Sequence, residues 1–352
     1  MSIDFDPNDI AVKNGSFMGL PYSVEEAEVV ILPAPWDVTV SYGEGTRFGP
    51  QQVLDASLQL DLVNPLREDA EQVKIANMPV DITTLEFAEK LRAKAKTIIE
   101  FYEDGGKIEA SAEMQKLLEE VNHGCARFHS IIEEEASKLL KAGKKVVLLG
   151  GDHSTPLGMM KACAKQLVAG DSFDILHLDA HADLRIAFEG FKHSHASIMY
   201  NALEELPIGK LVQVGIRDLC PQERDLIASD SRIECFYDWK LKSDLLGGES
   251  WKKQVEKILS HLGDKVYLSF DIDGLDPKYC PNTGTPVPGG MSYDQWSYLF
   301  TELLKSDKKI IGADLVEVSN PFTGDAEASP SEWDANVGAR ILFQICLGLS
   351  KQ

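Results

Sequence analysis

Short apolar runs recur along the chain, and polar segments with helical periodicity separate them. The apolar runs occupy residues 29–33, 145–150, 173–178, 211–216, 265–270 and 309–318. Their shortness and their content of β-branched residues predict buried strands. Between them, residues 127–141, 251–262 and 294–305 place apolar side chains three and four positions apart, which predicts amphipathic helices. The alternation predicts an α/β fold with a mainly parallel sheet, helices on both faces and functional loops at the carboxyl ends of the strands.

The pattern runs through the chain without an internal repeat, a low-complexity tract or a linker rich in proline, glycine and serine. We therefore predict a single domain over residues 1–352. Residues 67–126 are acidic and show the weakest periodicity. We predict that they hold helices and a surface excursion, as an insertion rather than a separate functional module.

Charge and composition narrow the classes of partner. The 352 residues include 56 acidic and 35 basic side chains, for a formal net charge of −21. Binding to a phosphate backbone draws on positive charge, so we expect no nucleic-acid partner, and the acidic field favours small cations. The first residues lack a basic region followed by an apolar core, and no apolar stretch is long enough to span a bilayer, so we expect a cytoplasmic protein without a membrane partner. The six cysteines show no short paired spacing and are expected to be reduced.

Three of the predicted strands lead directly into aspartate and histidine residues. These residues are His153 after the run at 145–150, Asp179, His181 and Asp183 after the run at 173–178, and Asp271 and Asp273 after the run at 265–270. Alternate residues of an extended segment point the same way, so these side chains can converge. Two imidazoles and four carboxylates offer too many oxygens for one tetrahedral zinc and suit two divalent ions that share aspartates. Without metal, the crowded carboxylates would raise one another's pKa, which makes a purely structural role costly.

The same residues carry a family resemblance. The segments GGDHS at 150–154, DAHAD at 179–183 and SFDIDGLDP at 269–277 resemble the signature segments of the ureohydrolases, the family of arginase, agmatinase and related guanidino-group hydrolases. The resemblance extends from 35–50 to 312–321. It implies an arginase-like three-layer α/β/α fold, a binuclear manganese centre, and a homotrimer or homohexamer. It also makes residues 67–126 a family-variable insertion.

The resemblance gives each of the six residues a role. It implies that one ion is held by His153 and Asp183, the other by His181 and Asp273, and that both share Asp179 and Asp271. Two Mn²⁺ per chain are expected, with Ni²⁺ as an alternative. Coordination lowers the pKa of bound water toward neutrality, which would provide the hydroxide needed to attack a resonance-stabilised guanidinium carbon.

Further residues match catalytic and substrate-binding positions of the family. His195 resembles the proton-shuttling histidine, a task suited to an imidazole of near-neutral pKa, whereas the neighbouring His193 has no such counterpart. Glu317 resembles the glutamate that binds the guanidinium group, and Thr285 lies in a loop expected beside the centre and the substrate. We count Asp183, besides its role as a ligand, with His195 and Glu317 as catalytic.

Three other residues are expected to be structural. Asp276 should form the turn after the ligands, Asp152 should support its neighbour His153, and Arg47 should tie a loop or a subunit contact.

The substrate is predicted from Arg185. In arginases an asparagine lies two residues after the DxHxD motif and helps to bind the substrate carboxylate. Here the motif ends at Asp183, and Arg185 takes the position of that asparagine. The run from Asp183 to Arg185, followed by Glu189, is instead similar to agmatinases. We therefore predict hydrolysis of agmatine, a small cationic guanidino substrate, to putrescine and urea. This choice requires that Arg185 lies away from the pocket or is paired with an acid such as Glu189.

Other functions stay open. A free Arg185 could bind a carboxylate, which leaves arginine, guanidinobutyrate and guanidine as alternative substrates. Metal-dependent deacetylases share the fold type but use a single-zinc ligand set that differs from this one. A non-catalytic homologous subunit would be expected to have lost ligands, and all six are present here.

Overall fold

The computed structural model describes residues 5–319 and 332–352, and eight parallel strands form one sheet at its centre. The strands are β1 (Val29–Ala34), β2 (Ile75–Asn77), β3 (Lys145–Gly150), β4 (Phe173–Leu178), β5 (Ile208–Val214), β6 (Ile233–Phe236), β7 (Lys265–Asp271) and β8 (Lys309–Val316). Their order across the sheet is β2-β1-β3-β8-β7-β4-β5-β6, and every neighbouring pair is parallel. The parallel sheet predicted from the apolar runs is confirmed.

Ten α-helices in the described part of the chain connect and cover these strands. They are α1 (Gly49–Ala56), α2 (Ile82–Glu103), α3 (Ala112–Lys141), α4 (Pro156–Ala164), α5 (Ile198–Glu205), α6 (Pro221–Ser229), α7 (Asp238–Leu246), α8 (Trp251–Ser260), α9 (Tyr293–Lys305) and α10 (Trp333–Ser350). The helices predicted at 127–141 and 294–305 lie within α3 and α9, and the one predicted at 251–262 corresponds to α8, which ends two residues earlier. None of the helices described combines the length and the apolar content required to cross a membrane.

Alternate residues of the strands enter two separate apolar cores. Val147 and Leu149 of β3 join a core that also contains α10 side chains, whereas Val146 and Leu148 join one that also contains α3 side chains such as Phe128. Successive side chains of a strand point to opposite faces, so the two cores lie on opposite sides of the sheet. This is the three-layer α/β/α arrangement that the sequence predicts.

Two strand ends follow from backbone conformations that interrupt pairing. Strand β5 ends at Val214 because Gly215 adopts a φ of 100°, which a side chain would disfavour. Strand β8 ends at Val316, two residues before the predicted run does, because Glu317 adopts a φ of 61°. Strands β2 and β6 escaped prediction because they contain only 3 and 4 residues.

Residues 67–126 form α2 and the first part of α3 and contribute to the core. The helices expected here are present, and the connection at 104–107 is largely exposed, as a surface excursion would be. Ala88, Leu91, Ala95 and Ile98 of α2 are buried, so the helices themselves are part of the core, which we did not expect. Arg92 is also buried, donates from Nη1 to the Val38 carbonyl at 3.0 Å, and pairs with Glu44 at 3.2 Å. The segment therefore supports the loop after β1. Its status as a family-variable insertion, and the single domain, stay predictions.

Candidate metal centre

The aspartate and histidine motifs meet at one edge of the sheet because their strands are neighbours. Strands β3, β8, β7 and β4 are adjacent and parallel, so their carboxyl ends share an edge. His153 follows β3, Asp179 follows β4, Asp271 ends β7 and Glu317 follows β8. This is the strand edge at which parallel α/β proteins place their sites.

Three of the predicted carboxylate ligands lie close to a ring nitrogen of a fourth predicted ligand, His153. His153 Nδ1 lies 2.9 Å from Asp179 Oδ2 and 3.2 Å from both Asp183 Oδ2 and Asp271 Oδ2. All four side chains are buried. We call these four residues the His153 cluster.

The hydrogen bonds behind His153 direct a lone pair at these carboxylates. His153 Nε2 lies 2.9 Å from Ser269 Oγ, and Ser269 Oγ donates to Asp314 Oδ1 at 3.1 Å. A serine hydroxyl carries one proton, so Nε2–H donates to Ser269 in the neutral ring. Nδ1 is then the free acceptor, as a metal ligand must be.

The other ligands meet around His181. His181 Nδ1 lies 3.1 Å from Asp273 Oδ2 and 3.4 Å from Asp179 Oδ1, and these three residues form the His181 cluster. The two oxygens of Asp179 therefore face different clusters. Asp271 Oδ2 lies 3.2 Å from His153 Nδ1, and its Oδ1 accepts the backbone amide of Asp273 at 2.8 Å, so neither oxygen contacts a side chain of the His181 cluster by these distances. Its sharing between two ions stays a prediction.

Burial and mutual repulsion disfavour the charged forms of two of these acids. Burial and the charge of Asp179 raise the pKa of Asp183 to about 7, and burial together with Asp273 and Asp179 raises the pKa of Asp271 well above its usual value. Burial opposes charge on the His153 ring, yet hydrogen bonds to the surrounding aspartates raise its pKa well above the ordinary value. Excess negative charge of this kind favours a bound cation.

The donor set fits divalent metal ions. Asp273 Oδ2 is buried and accepts no hydrogen bond within the described residues, which leaves it available as a ligand. Carboxylate oxygens with one imidazole in each cluster match the preferences of Mn²⁺ and neighbouring divalent ions. The residues present therefore fit two such ions that share Asp179.

His177 is a residue of the site that the sequence analysis missed. Its Nε2 lies 2.8 Å from Asp179 Oδ2, and its Nδ1 lies 3.0 Å from Gln213 Nε2. Gln213 Nε2 also donates to the Ala182 carbonyl at 2.8 Å, so it is the donor toward His177, and His177 Nε2–H donates to Asp179. His177 thus orients Asp179. The signal was available, because His177 interrupts the buried apolar run at 175–178 and Gln213 interrupts the one at 211–214.

A pocket of about 150 Å³ opens beside the two clusters. Its lining includes the predicted residues His181, Asp183, Arg185, His195 and Thr285, together with Ser41, Phe188, Ala196, Asp218, Leu219 and Glu223. Glu317 is not part of this lining. We call this cavity the substrate pocket.

The two neighbouring histidines face different surroundings. His195 lines the substrate pocket, whereas the His193 ring packs edge-on against His129 of α3, with 4.9 Å between ring centroids. Burial, followed by the charges of His181 and His153, lowers the pKa of His195 to about 3. The pKa of His195 is therefore lower than the near-neutral value that we expected, and the ring is neutral at neutral pH.

Glu317 lies against the His153 cluster. Its Oε1 accepts the His153 amide at 2.8 Å, and burial and the charge of Asp152 raise its pKa well above the usual value. The described chain has four non-glycine residues at positive φ, and Asp183 and Glu317 are two of them. Such backbone costs about 1–3 kcal/mol per residue and concentrates at functional sites.

Arg185 lines the substrate pocket and pairs with Glu223 rather than with Glu189, the acid that the sequence analysis suggested. Its Nε lies 3.8 Å from Glu223 Oε2, and its guanidinium lies 4.8 Å from the centroid of the Phe188 ring. Glu223 is buried and also accepts the Leu184 amide at 3.0 Å. Glu189 was the wrong example, because its orientation places it near Glu103 and Arg92 instead.

Asp276 and Arg47 make the contacts expected of structural residues, whereas the support of His153 by Asp152 stays a prediction. Asp276 Oδ1 accepts the Lys278 amide at 3.0 Å, as a turn residue does. Arg47 Nη1 donates to both oxygens of Asp37, at 3.0 and 3.1 Å, and closes the loop after β1. Asp152 accepts from the Ser154 amide at 2.9 Å. Of the segment at 312–321, residues 320 and 321 lie outside the described residues.

Comparison with known proteins identifies the family and the fold of the chain. Residues 27–348 match the sequence model of the Arginase family. The N(1)-aminopropylagmatine ureohydrolase of Thermus thermophilus is 36% identical over 304 residues, which cover 85% of this chain and 84% of that protein. The agmatinase of Bacillus anthracis is 32% identical over 310 residues, which cover 88% and 89%. The crystal structure of proclavaminate amidino hydrolase from Streptomyces clavuligerus shares the fold, with a TM-score of 0.70 at 23% identity over 98% of this chain and 99% of that chain.

Proposed function

The chain belongs to the arginase family, and from that membership we propose that it hydrolyses agmatine to putrescine and urea with two Mn²⁺ per chain. The observation that carries the choice of agmatine is the pairing of Arg185 with Glu223 in the substrate pocket. The carboxylate of Glu223 offsets the positive charge that Arg185 would otherwise present to the carboxylate of arginine or guanidinobutyrate.

We assign the metal ions to the two clusters described above. His153 and Asp183 would hold one ion, His181 and Asp273 the other, and Asp179 both, with Asp271 as the second shared carboxylate. When bound, such ions lower the pKa of coordinated water toward neutrality, which is the chemistry that hydrolysis of a guanidinium group needs. His177 and Ser269 keep Asp179 and His153 in the orientation that coordination requires.

The remaining steps fall to two side chains beside the clusters. Glu317 can accept two parallel N–H bonds from the planar guanidinium, whose positive charge would favour the ionised carboxylate. His195 lines the pocket, where its ring can pass a proton to the departing amine. Thr285, at the pocket wall, can hydrogen-bond the substrate.

The outer wall of the pocket favours a second positive charge. Asp218 lines the pocket, is exposed, and forms no ion pair with any residue that the structure describes. With Arg185 neutralised by Glu223, Asp218 leaves this wall negative. The terminal ammonium of agmatine would be attracted there, and a carboxylate would be repelled.

N(1)-aminopropylagmatine is a second candidate substrate. It extends agmatine by an aminopropyl group and carries one more cation, and Asp218 is exposed toward the solvent side of the pocket. The relative from Thermus thermophilus bears the name of this activity.

A panel of substrates tests the proposal. Urea release should be measured for agmatine, N(1)-aminopropylagmatine, arginine, guanidinobutyrate and guanidine, with protein reconstituted with Mn²⁺ or Ni²⁺. We expect kcat/KM for agmatine to exceed that for arginine at least tenfold, which corresponds to about 1.4 kcal/mol of transition-state binding. Asp218→Asn should lower kcat/KM for agmatine but not for guanidine, which has no second cation, and Asp225→Asn on the exposed face of α6 should change neither. Equal or faster turnover of arginine or guanidinobutyrate would refute the agmatinase assignment.

Metal analysis tests the two-ion centre separately. Elemental analysis of protein saturated with Mn²⁺ should find close to two ions per chain. Asp271→Asn removes a carboxylate from the His153 cluster and should lower occupancy, whereas Asp276→Asn alters only a turn and should leave occupancy unchanged. One ion per chain at saturation would contradict the centre while leaving the family assignment intact.

The resemblance to the family also leads us to propose a homotrimer or homohexamer located in the cytoplasm. Sedimentation of the purified protein would distinguish these assemblies from a monomer.

A further inference from the structure

A second, larger cavity lies at the opposite edge of the sheet, where the strands begin. It has a volume of about 410 Å³, within the range of small-molecule sites. Three neighbouring strands start there, and each starts with a lysine, namely Lys145 of β3, Lys309 of β8 and Lys265 of β7. All three line the cavity together with Lys144, and we call it the lysine cavity.

Two of the four lysines have no charged or hydrogen-bonding partner among the residues that the structure describes. Lys265 pairs with Asp171, and Lys144 donates to the carbonyls of Glu25 and Ala27. Lys145 and Lys309 form neither an ion pair nor a side-chain hydrogen bond with any described residue. Burial and the nearby charge of Lys309 lower the pKa of Lys145. Two uncompensated cations thus share one cavity in a chain with 56 acidic and 35 basic residues.

The rest of the wall is largely apolar. It includes Leu140 of α3, Leu167 after α4, Ile311 of β8 and Leu349 of α10. A free inorganic anion would use the lysines but not these side chains. A ligand with a charged head and an apolar body would use both.

We propose that the lysine cavity binds a small organic anion, a carboxylate with an alkyl body of several carbons. The carboxylate lies between Lys145 and Lys309, and the alkyl chain packs against the leucine and isoleucine side chains. Such a ligand neutralises two cations that now repel each other.

This site is separate from the substrate pocket. Lys309 begins β8 and Glu317 follows its end, so the 8 residues of the strand separate the two by roughly 25 Å at about 3.3 Å per residue. The proposal therefore does not depend on the proposed function, and either can fail alone.

Calorimetric titration of the metal-loaded protein tests the proposal, with hexanoate as the probe. Acetate supplies the charge without the alkyl body, and hexanamide supplies the body without the charge. We expect saturable binding of one hexanoate per chain, with acetate and hexanamide at least tenfold weaker. The double variant Lys145→Gln/Lys309→Gln should bind hexanoate at least tenfold more weakly, and Lys252→Gln/Lys305→Gln, with the same change of charge on α8 and α9, should bind it normally.

Three outcomes would overturn the proposal. Absence of saturable binding refutes it directly. Binding that survives in the double variant, or that inhibits urea release in parallel, places hexanoate at the metal centre instead. Equal affinity for acetate and hexanoate would mean that the cavity binds the carboxylate alone, without a contribution from the alkyl chain. If the double variant folds poorly, Lys309→Gln alone provides the same comparison at an exposed residue.

Discussion

At the scale of single residues, the two histidines on either side of Ser194 form a matched pair for mutagenesis. His195 lines the substrate pocket, and His193 packs against His129 of α3. We expect His195→Asn to lower kcat by about 10²–10⁴-fold, the range for a positioned acid–base group, with metal content unchanged. His193→Asn should have a much smaller effect. Steady-state urea release with elemental analysis of both variants checks this, and equal losses in the two would contradict the role given to His195.

The sequence predicted which acids and histidines come together, because these residues follow strands whose carboxyl ends share one edge of the sheet. Spacing along the segment after β4 was less informative, because His181 and Asp183 face different clusters and Asp183 adopts a φ of 55°. The partners of Arg185 and Asp179 were not predictable in this way. Glu223 lies on α6, and Gln213, which orients His177, lies on β5, so both contacts depend on how separate elements pack. The low pKa of His195 depends equally on tertiary burial.

At the scale of elements, α3 supports the loop that carries His195. Asn122 of α3 accepts the Lys192 amide at 2.9 Å and donates to the Gly190 carbonyl at 3.3 Å. Asn122→Ala removes both contacts and should lower kcat roughly tenfold, because small misplacements of a catalytic group are costly. Metal content should stay unchanged, as elemental analysis can show.

Gln115→Ala is the matched control for Asn122→Ala. Gln115 lies on the same helix and bonds to the Ile108 and Glu109 carbonyls, away from the loop. Its substitution should leave kcat unchanged. A similar fall of kcat in both variants would mean that α3 acts through general stability rather than through the loop.

The same elements show where periodicity was insufficient. The longer strands were predicted from continuous apolar runs. Their parallel direction was predicted from the alternation of strands with helices. The buried face of α2 was not predicted, because acidic and basic residues separate its alanine, leucine and isoleucine positions. Its burial depends on α3, which it packs against across Gly124, where a side chain would collide with Leu91.

At the scale of the whole molecule, one buried acid makes stability depend on pH. Asp334 of α10 accepts from the Asn282 amide and side chain, both at 2.8 Å, and so joins the C-terminal helix to the loop that holds Thr285. Burial, opposed in part by these hydrogen bonds, raises the pKa of Asp334 to about 6. The folded chain therefore binds more protons than the unfolded chain between the ordinary pKa of 3.8 and about 6.

It follows that this carboxyl group stabilises the fold less as pH rises through that window. Denaturant unfolding at fixed protein and salt concentrations should show the wild type losing stability relative to Asp334→Asn between about pH 4 and pH 6, with a constant difference above about pH 7. A difference that is constant throughout, or that changes in the opposite direction, would contradict the raised pKa.

The division of Asp179 between two clusters has a consequence for cooperativity. One oxygen faces His153 and the other faces His181, so a cation held on either side fixes the carboxylate for the other. The first cation to bind orders the Asp179 carboxylate, so the second cation binds with a smaller loss of conformational entropy. The coupling free energy between the two sites is the same in whichever order they fill. A centre built in this way tends to pass from empty to doubly filled over a narrow range of metal concentration, with few singly loaded molecules between.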